Sequence, residues 1–328
     1  MVSEKSIFLR RHMKEYITDK KISVIIACYN EAENIPTMYR RLTDVFAHIT
    51  PQYELVFVDN DSRDHSAELY QSLCREDNRV SAIIMSRNFG SSDTSYSAGT
   101  EYASGDAVVW VDGDIQDPPE LISQFVQKWL EGYDIVYGVR SKRKIGVLFG
   151  FAYKTFYRLF RRYAYIEMPM NAGDFCIIDR RVADALNTLP ERDRFMRGLR
   201  AWVGFKHTGI EYTRLERAAG RSSINLGSYI RIAKKGLISF SYAPLSFISN
   251  IAFIAMTVTL LAILAFPFFA IFYPAPRGFL TLMLVVLFIG SVQFCILAIL
   301  GEYMAKIFEE VKARPKYIIR TIINNHRV

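Results

Sequence analysis

The chain has 328 residues, enough for one large or two modest domains with a sizeable buried core. Hydrophobic residues make up 51% of it, a high fraction for a soluble protein, so the composition indicates a membrane segment. Its 41 Lys and Arg residues exceed its 33 Asp and Glu residues, giving a formal net charge of +8. This surplus favours an anionic partner: a nucleic acid, a lipid leaflet or a phosphorylated substrate.

The cysteines and the N-terminal residues indicate the compartment. Four cysteines occur without CxxC spacing or clustered histidines, which argues against a zinc site or a disulfide framework and favours free thiols in a reducing compartment. Residues 1–21 are charged throughout and contain no apolar stretch of the kind that a cleaved signal peptide needs. We therefore expect the large N-terminal part of the chain to lie in the cytosol.

Residues 22–136 alternate short apolar runs with stretches of helical spacing. The apolar runs, which are rich in β-branched residues and predict buried strands, are 22–29, 54–59, 80–86 and 107–112. Such alternation predicts an α/β fold in which a mostly parallel, Rossmann-like sheet is covered by helices on both faces. Ligands bind such sheets beyond the carboxyl ends of the strands, and the polar motifs of this chain follow those ends.

The sequence becomes basic and aromatic after the predicted sheet. Residues 142–165 interleave basic side chains with Phe and Tyr at helical spacing. An amphipathic helix in the membrane interface is the favoured interpretation, because basic heads and aromatic bodies suit an anionic headgroup layer. A solvated helix packed on the domain is the alternative. Residues 229–242 repeat the pattern and predict a juxtamembrane helix, which leaves residues 1–228 as the cytosolic domain.

Two apolar spans follow, and residues 236–276 contain no Asp, Glu, Lys or Arg. Spans at about 245–273 and 279–299 are each long enough to cross ~30 Å of hydrocarbon at ~1.5 Å per residue. They predict a two-helix transmembrane hairpin within 243–301, and a buried core hairpin is the alternative. Basic residues concentrate outside the hairpin, so the positive-inside rule places both termini, including the tail 302–328, in the cytosol.

The strongest local motif follows the fourth predicted strand. Residues 108–120 read VVWVDGDIQDPPE, so that Asp112 and Asp114 flank Gly113 at the end of an apolar run. Carboxylates at this spacing can hold one hard divalent cation, and glycine lets a phosphate approach closely. Magnesium takes its other ligands from water and phosphate oxygens, and Gln116 follows within reach. A plain turn is the alternative, but the position at a strand end favours metal binding.

The end of the first strand carries Tyr29, Asn30 and Glu31, where a bound nucleotide would meet the edge of the sheet. Asn30 is also expected to cap the following helix, with Glu33 as its capping-box partner. The two roles are compatible.

The second strand ends in Asp59 and Asn60, which could exchange hydrogen bonds with a base. Asp61 or Ser62 is then expected to begin the next helix.

Two arginines lie at comparable positions. Arg87, in the SRNFG segment after the third strand, either reaches a phosphate or is an ordinary loop residue. Arg140 ends the strand VYGVR, where its guanidinium could hold a diphosphate through two hydrogen bonds.

These motifs occur in the order of one known family. The segments SVIIACYNE, VFVDNDSRD, SRNFG, WVDGDIQDPPE, VYGVR, NAGDF (171–175), FMRGLRAWVGF (195–205) and AGRSS (219–223) resemble the GT-A-fold family 2 glycosyltransferases that act on polyprenyl phosphates. The similarity covers nearly the whole chain. Within the family it is closest to the bactoprenol glucosyltransferases, with the dolichyl-phosphate mannose synthases as more distant members.

The resemblance implies an inverting enzyme that moves a hexose, first of all glucose from UDP-glucose, onto undecaprenyl phosphate with Mg²⁺ or Mn²⁺ as cofactor. It also implies a location in the inner (plasma) membrane and a homo-oligomer, a tetramer by family precedent. A GDP-mannose-dependent polyprenyl- or dolichyl-phosphate mannosyltransferase stays open as an alternative, as does transfer of a modified arabinose.

Applied to this sequence, the motifs define four sets of site residues. The catalytic set is Asp114, Arg140 and Asp174, and a helix-start role is the alternative for Asp174. The metal set is Asp112, Asp114 and Gln116. The donor set is Ala27, Tyr29, Asn30, Glu31, Asp59, Asn60, Arg87, Asp112 and Gly113. The acceptor-phosphate set is Arg197, Arg200, Arg217, Arg221 and Ser222.

The chain departs from the family pattern in two places. The nucleotide loop usually reads Asp-Asp-Gly-Ser, whereas residues 59–62 are Asp-Asn-Asp-Ser, with Asn60 at the position of the expected base contact. The segment that usually carries Ser-Lys-Tyr is Ser-Ser-Ile at 222–224, and Arg217 or Arg221 could supply the missing lysine's charge.

Three other classes of protein are less consistent with the sequence. A processive polysaccharide synthase would carry a Gln-x-x-Arg-Trp motif and more membrane helices, and this chain has neither. A non-catalytic scaffold would not need the intact carboxylates and Arg140. Nucleic-acid binding could explain the net charge, but the basic residues concentrate beside the apolar spans.

Overall fold

The computed structural model describes residues 16–141, 172–214, 241 and 278–324, together with short stretches between 247 and 261. The chain divides into two compact units. The first contains residues 1–151, 167–224 and 315–328, and the second contains residues 152–166 and 225–314. The helix predicted at 142–165 lies outside the described residues, as does all of the one predicted at 229–242 except residue 241.

The described part of the first unit is a mixed eight-stranded sheet flanked by helices. The strands are β1 (Ile22–Cys28), β2 (Tyr53–Asp59), β3 (Val80–Met85), β4 (Ala107–Asp112), β5 (Ile135–Arg140), β6 (Ala172–Asp179), β7 (His207–Tyr212) and β8 (Ile319–Ile323). The helices are α1 (Ile35–Ile49), α2 (Ser66–Glu76), α3 (Ser92–Tyr102), α4 (Ile122–Leu130), α5 (Arg180–Thr188) and α6 (Met196–Trp202), with one 3₁₀ turn at Pro119–Leu121. The strand order is β7-β5-β6-β4-β1-β2-β3-β8.

The four apolar runs of the sequence form the centre of this sheet. Strands β1 to β3 are buried along their whole length, and β1 pairs in parallel with both β2 and β4. Helix α1 covers them with Met38, Leu42 and Phe46, which repeat every four residues along one face. Each such buried side chain contributes about 1.5–3 kcal/mol through loss of water-exposed apolar surface. The predicted α/β core is therefore confirmed.

Two strands run against the others, so the sheet is mixed. Strand β6 lies antiparallel between β4 and β5, and β8 pairs antiparallel with β3 at one edge. Because β6 is reversed, its first residues lie at the edge where β4 and β5 end. Strand β8 belongs to residues that the sequence indicated only as a tail, and it covers the outer edge of β3, whose backbone groups would otherwise be unpaired.

The predicted capping box at Asn30 and Glu33 is wrong. Helix α1 begins at Ile35, and Asn30 instead has a left-handed backbone, with φ of 54°. Its side-chain oxygen accepts a hydrogen bond from the backbone N–H of Arg63 at 2.8 Å, which joins the loops after β1 and β2.

The start of α2 was also predicted too early. The helix begins at Ser66 and not at Asp61 or Ser62. Oδ1 of Asp64 accepts from the backbone N–H of Ser66 at 3.1 Å, so the Asp two residues before the helix stabilises its first turn.

The second unit contains helix α7 (Phe279–Val311), which continues beyond the predicted span at 279–299. Within it, Phe288–Val311 is long and apolar enough to cross a bilayer, and this is the only such helix among the described residues. Its large apolar side chains, such as Phe294, are exposed. The predicted span at about 245–273 falls mostly outside the described residues, so the hairpin itself stays a prediction.

Candidate active site

Four elements bring polar residues to one edge of the sheet. Asp112, Arg140 and Tyr212 are the last residues of β4, β5 and β7, and Arg140 is the register partner of Tyr212. Asp174 is the third residue of the reversed strand β6 and reaches the same edge. These polar residues therefore lie where the strands β4, β5 and β7 end, which is the edge at which ligands bind in sheets of this type.

Asp112 lies at the centre of the group. The hydroxyl of Tyr96, which is fully buried on α3, donates to its Oδ1 at 2.6 Å. Burial raises the pKa of Asp112 to about 7, and the negative charges of Asp117, Asp174 and Asp114 act in the same direction. Negative charge is thus crowded here, and a cation would be stabilised.

The Asp-Gly-Asp turn is tightly constrained. The N–H of Gly113 donates to the carbonyl of Ala27 at 2.9 Å, and a Cβ on Gly113 would lie 2.7 Å from Sγ of Cys28. Any larger residue at this position would therefore force the buried Cys28 side chain to move. Ile115 adopts φ of 59°, a rare conformation for a β-branched residue, and such strain is common at functional turns.

Asp117 connects three side chains of the site, although the sequence analysis assigned it no role. The hydroxyl of Tyr212 donates to its Oδ1, and Nε of Arg214 donates to the same oxygen at 3.1 Å. Nη2 of Arg140 lies 3.6 Å from its Oδ2, and Nε of Arg140 donates to the Tyr212 hydroxyl at 3.3 Å. Arg140 is thus held in place from two sides.

Tyr212 and Arg214 were not among the predicted site residues, although their position at the end of a strand could have indicated them. Tyr212 ends a strand that runs parallel to β5, and Arg214 follows it by two residues. The same position at a strand end identified Arg140. The polar strand β7 has alternating exposure and no apolar run, which is why its end escaped prediction.

Two of the three predicted metal ligands, Asp112 and Asp114, lie close to the same positive group. Nη2 of Arg214 is 3.8 Å from Oδ2 of Asp112 and also 3.8 Å from Oδ2 of Asp114. Two carboxylate oxygens that converge on one positive group are the hard donors that Mg²⁺ and Mn²⁺ prefer, so the residues present fit such an ion. Among the described residues, no three His, Cys, Asp or Glu side chains form a metal site. Gln116, water and substrate oxygens would therefore have to complete the coordination.

Asp174 is paired with a predicted acceptor-binding residue. Arg197 on α6 donates to Asp174 through Nη2 at 2.7 Å and through Nε at 3.2 Å. Burial acts to raise the pKa of Asp174, but Arg197, Arg200 and Arg140 outweigh it and hold the pKa below its usual value. Asp174 is therefore a charged group that holds the Arg197 guanidinium at the sheet edge.

Arg200 is placed differently from Arg197. It is buried, and Nη2 donates to the carbonyl of Gly173 at 2.9 Å while Nη1 donates to that of Asp174 at 3.4 Å. Its guanidinium also lies over the Tyr137 ring. These contacts stabilise the start of β6, and a role in phosphate binding stays a prediction. The other members of the acceptor set, Arg217, Arg221 and Ser222, lie outside the described residues.

The predicted donor residues form two linked loops. Asp59 accepts hydrogen bonds from the hydroxyl and N–H of Ser62, and Ser62 in turn accepts from the N–H of Asn30 at 2.8 Å. Burial raises the pKa of Asp59. The loop after β2 is thus held against the loop after β1, next to the Asp-Gly-Asp turn.

Asn60 is buried and engaged within the protein. Its Oδ1 accepts from the N–H of Phe89 at 2.9 Å, and its Nδ2 donates to Asn88 at 3.3 Å. Arg87 is exposed, with its guanidinium 4.1 Å from the Phe89 ring centroid. Asn60 therefore joins the loops after β2 and β3. The difference from the usual Asp-Asp-Gly-Ser sequence did not predict this role.

Tyr29 and Glu31 flank the same loops. Tyr29 is 43% exposed, and an aromatic ring is suited to stack on a planar ligand such as a base. Oε2 of Glu31 accepts from Nδ2 of Asn34 at 2.5 Å.

Comparison with known proteins gives consistent matches. Residues 23–186 match the family described as Glycosyl transferase family 2. The chain is 36% identical to the SfII prophage-derived bactoprenol glucosyl transferase of Shigella flexneri over 309 residues, which is 92% of this chain and 97% of that protein. It is 38% identical to the uncharacterized glycosyltransferase YkcC of Bacillus subtilis (strain 168), over 91% of this chain and 93% of that one.

Among solved structures, the chain resembles glucosyl-3-phosphoglycerate synthase from Mycobacterium tuberculosis in complex with Mn²⁺, uridine-diphosphate and glucosyl-3-phosphoglycerate. The TM-score is 0.47 at 17% identity, with 67% of this chain and 79% of that chain covered.

Proposed function

Because this chain belongs to glycosyl transferase family 2, we propose that it transfers a hexosyl group from a nucleotide sugar to a polyprenyl phosphate at the membrane surface. Relatives named bactoprenol glucosyl transferase match 92% of the chain, which supports a bactoprenol-type lipid acceptor and glucose as the sugar, and we propose UDP-glucose as its donor. Mannose from GDP-mannose is the alternative donor.

The observation that carries the proposal is the meeting of carboxylates and guanidiniums at one sheet edge. A phosphate monoester has a second pKa of about 6, so the acceptor is largely dianionic at neutral pH and needs no general base. Its difficulty is repulsion, because one anion approaches a carbon that another anion is leaving. Arg140, Arg197 and Arg214 lie where they would offset that repulsion.

In the proposed reaction, an acceptor phosphate oxygen attacks the anomeric carbon of the sugar. The bond from that carbon to the diphosphate oxygen breaks, and its electron pair leaves with the nucleoside diphosphate. A single displacement inverts the configuration, so an α-linked donor gives a β-linked lipid phosphosugar.

The residues divide the work by charge. Arg140, which Asp117 and Tyr212 hold in place, stabilises the leaving diphosphate. Asp112, Asp114 and Gln116 would hold Mg²⁺ or Mn²⁺, an ion that neutralises the charge of the diphosphate when bound. Asp174 orients Arg197 towards the sugar and acceptor side.

We expect the donor to bind against the loops after β1 and β2. Ala27, Tyr29, Asn30, Glu31 and Asp59 line this part of the edge, beside the Asp-Gly-Asp turn. Helix α7 would anchor the protein in the inner membrane, with the catalytic unit on the cytosolic side and the chains assembled as a homo-oligomer.

A donor screen tests the proposal. Full-length protein in detergent is given undecaprenyl phosphate with radiolabelled UDP-glucose, UDP-galactose or GDP-mannose, with and without EDTA. We expect organic-soluble label from UDP-glucose that EDTA abolishes. The proposal fails if no donor labels the lipid. Asp114→Asn should be inactive, whereas the control Asp184→Asn, on the exposed face of α5, should keep full activity.

A further inference from the structure

Arg214 contacts three aspartates of the candidate site, and the function proposed above gives it no specific task beyond offsetting charge. It follows β7 by two residues and is half-buried, with its side chain 25% exposed. Its contacts are with Asp112, Asp114 and Asp117.

The three contacts are not equivalent. Nε donates a hydrogen bond to Oδ1 of Asp117 at 3.1 Å, whereas Nη2 approaches Asp112 and Asp114 only to 3.8 Å. Asp117 is almost completely buried and also accepts from Tyr212, so it is a fixed anchor. The guanidinium is thus bonded at one end, and its other end rests beside two carboxylates to which it is not hydrogen-bonded.

In this geometry the guanidinium of Arg214 offsets the negative charge of Asp112 and Asp114 without forming a hydrogen bond to either. Two carboxylates that face each other repel unless a positive charge lies between or beside them. A hydrogen bond from Arg214 to either would have to be broken before a metal ion could coordinate both. Contacts of 3.8 Å supply the charge without a hydrogen bond from Arg214 to either carboxylate.

We propose that Arg214 is an internal counter-cation that shields Asp112 and Asp114 in the donor-free enzyme and thereby sets how weakly they bind a divalent cation. The inference rests on the proposed function, because it assumes that these two aspartates are metal ligands. Arg214 is a positioning residue here, since it acts through the carboxylates.

A coupling between donor and metal follows. A diphosphate that enters the site offers the guanidinium a more strongly charged, bidentate partner than the carboxylates 3.8 Å away. Movement of the positive charge towards the diphosphate removes the shielding of Asp112 and Asp114. Nucleotide and metal should therefore bind with positive cooperativity, and part of that cooperativity should depend on Arg214.

Metal affinity measured without turnover tests the inference. Full-length protein in detergent is titrated with Mn²⁺, and free Mn²⁺ is followed by electron paramagnetic resonance with and without UDP. The variants are Arg214→Gln, which removes the charge, and Arg214→Lys, which keeps it. Arg181→Gln is the control, because Arg181 also pairs with two aspartates but lies at the other end of β6.

We expect Arg214→Gln to bind Mn²⁺ without UDP about tenfold more tightly than the wild type, and to show a smaller gain on addition of UDP. Arg214→Lys and Arg181→Gln should resemble the wild type. If Arg214 only supports Asp117 structurally, Arg214→Gln will melt at a lower temperature with unchanged or weaker Mn²⁺ affinity, which would overturn the inference alone. If the wild type and every variant fail to bind Mn²⁺ even with UDP, the metal assignment of the proposed function fails as well.

Discussion

The hydroxyl of Tyr96 donates a 2.6 Å hydrogen bond to Oδ1 of Asp112, so a helix that packs on the sheet fixes the orientation of a carboxylate at its edge. The ring of Tyr96 is fully buried and stacks on Trp110, which precedes Asp112 by two residues on β4. One packed aromatic pair thus positions a predicted metal ligand.

Tyr96→Phe should keep the ring packing and lose the hydrogen bond. One such bond contributes about 1 kcal/mol, so we expect a rate loss of about fivefold and a change in melting temperature of only a few degrees. Tyr39→Phe is the matched control, because its hydroxyl donates to Asp77 at 3.0 Å away from the site. Equal rates for Tyr96→Phe and Tyr39→Phe would show that the hydrogen bond from Tyr96 to Asp112 does not contribute to the reaction.

Arg140→Ala should reduce kcat at least about tenfold, equivalent to ~1.4 kcal/mol of transition-state stabilisation. The reason is that its guanidinium, held by Asp117 and Tyr212, is lost from the leaving-group side. Steady-state kinetics measures the effect. Arg41→Ala is the control, because Arg41 also donates two hydrogen bonds to a carboxylate, that of Glu120, but was not predicted to bind the substrate. An unchanged kcat would contradict the assignment.

Arg197→Ala should destabilise the protein by about 1–2 kcal/mol at pH 7, because Asp174 loses a partner that donates two hydrogen bonds. The pKa of Asp174 is lowered in the folded state, so this contribution is present above the usual value of about 3.9 and is lost as the pH falls through the folded-state value. Thermal unfolding at pH 7 and at about pH 2.5, which is below the usual pKa of about 3.9, should show a smaller difference between variant and wild type at the lower pH. A difference that grows on acidification would be inconsistent with this pairing.

Arg320→Ala should raise the KM for the nucleotide sugar about threefold with little change in kcat. Arg320 is an exposed residue near the start of β8. It donates hydrogen bonds to Asp61 and to the carbonyl of Ser86, the latter at 3.0 Å. It thereby joins the two loops that carry predicted donor residues. Donor titration at saturating acceptor separates KM from kcat, and a kcat effect without a KM effect would show that β8 does not act through donor binding.

The centre of the fold could be predicted from the sequence because its signals are local. Strands β1 to β4 are continuous apolar runs, and the polar groups at their ends follow from the topology of parallel sheets. Asp112, Asp114 and Arg140 were predicted as site residues from their positions at or just after the ends of β4 and β5. The resemblance to the family then added Asp174. Arg197, which forms an ion pair with Asp174, was predicted to bind the acceptor phosphate.

The remainder depends on contacts distant in sequence. Strand β8 pairs with β3 across more than two hundred residues, and its own sequence shows no more than a short apolar run. The role of Asp117 depends on Tyr212 and Arg214, which chain folding alone brings near it. Asn30 was assigned to a helix cap from spacing, but the loop after β2 uses its side chain instead.

The most direct measurement gives the reconstituted enzyme a choice of acceptor. Wild-type protein and Asp114→Ala in proteoliposomes receive labelled UDP-glucose, undecaprenyl phosphate and undecaprenol together, and the lipids are separated after reaction. The expected result is label on the phosphate-bearing lipid alone, from the wild type alone, in a β-linked product. Label on undecaprenol or on water-soluble hydroxyl compounds with none on the lipid phosphate would contradict the proposed reaction, as would full activity of Asp114→Ala.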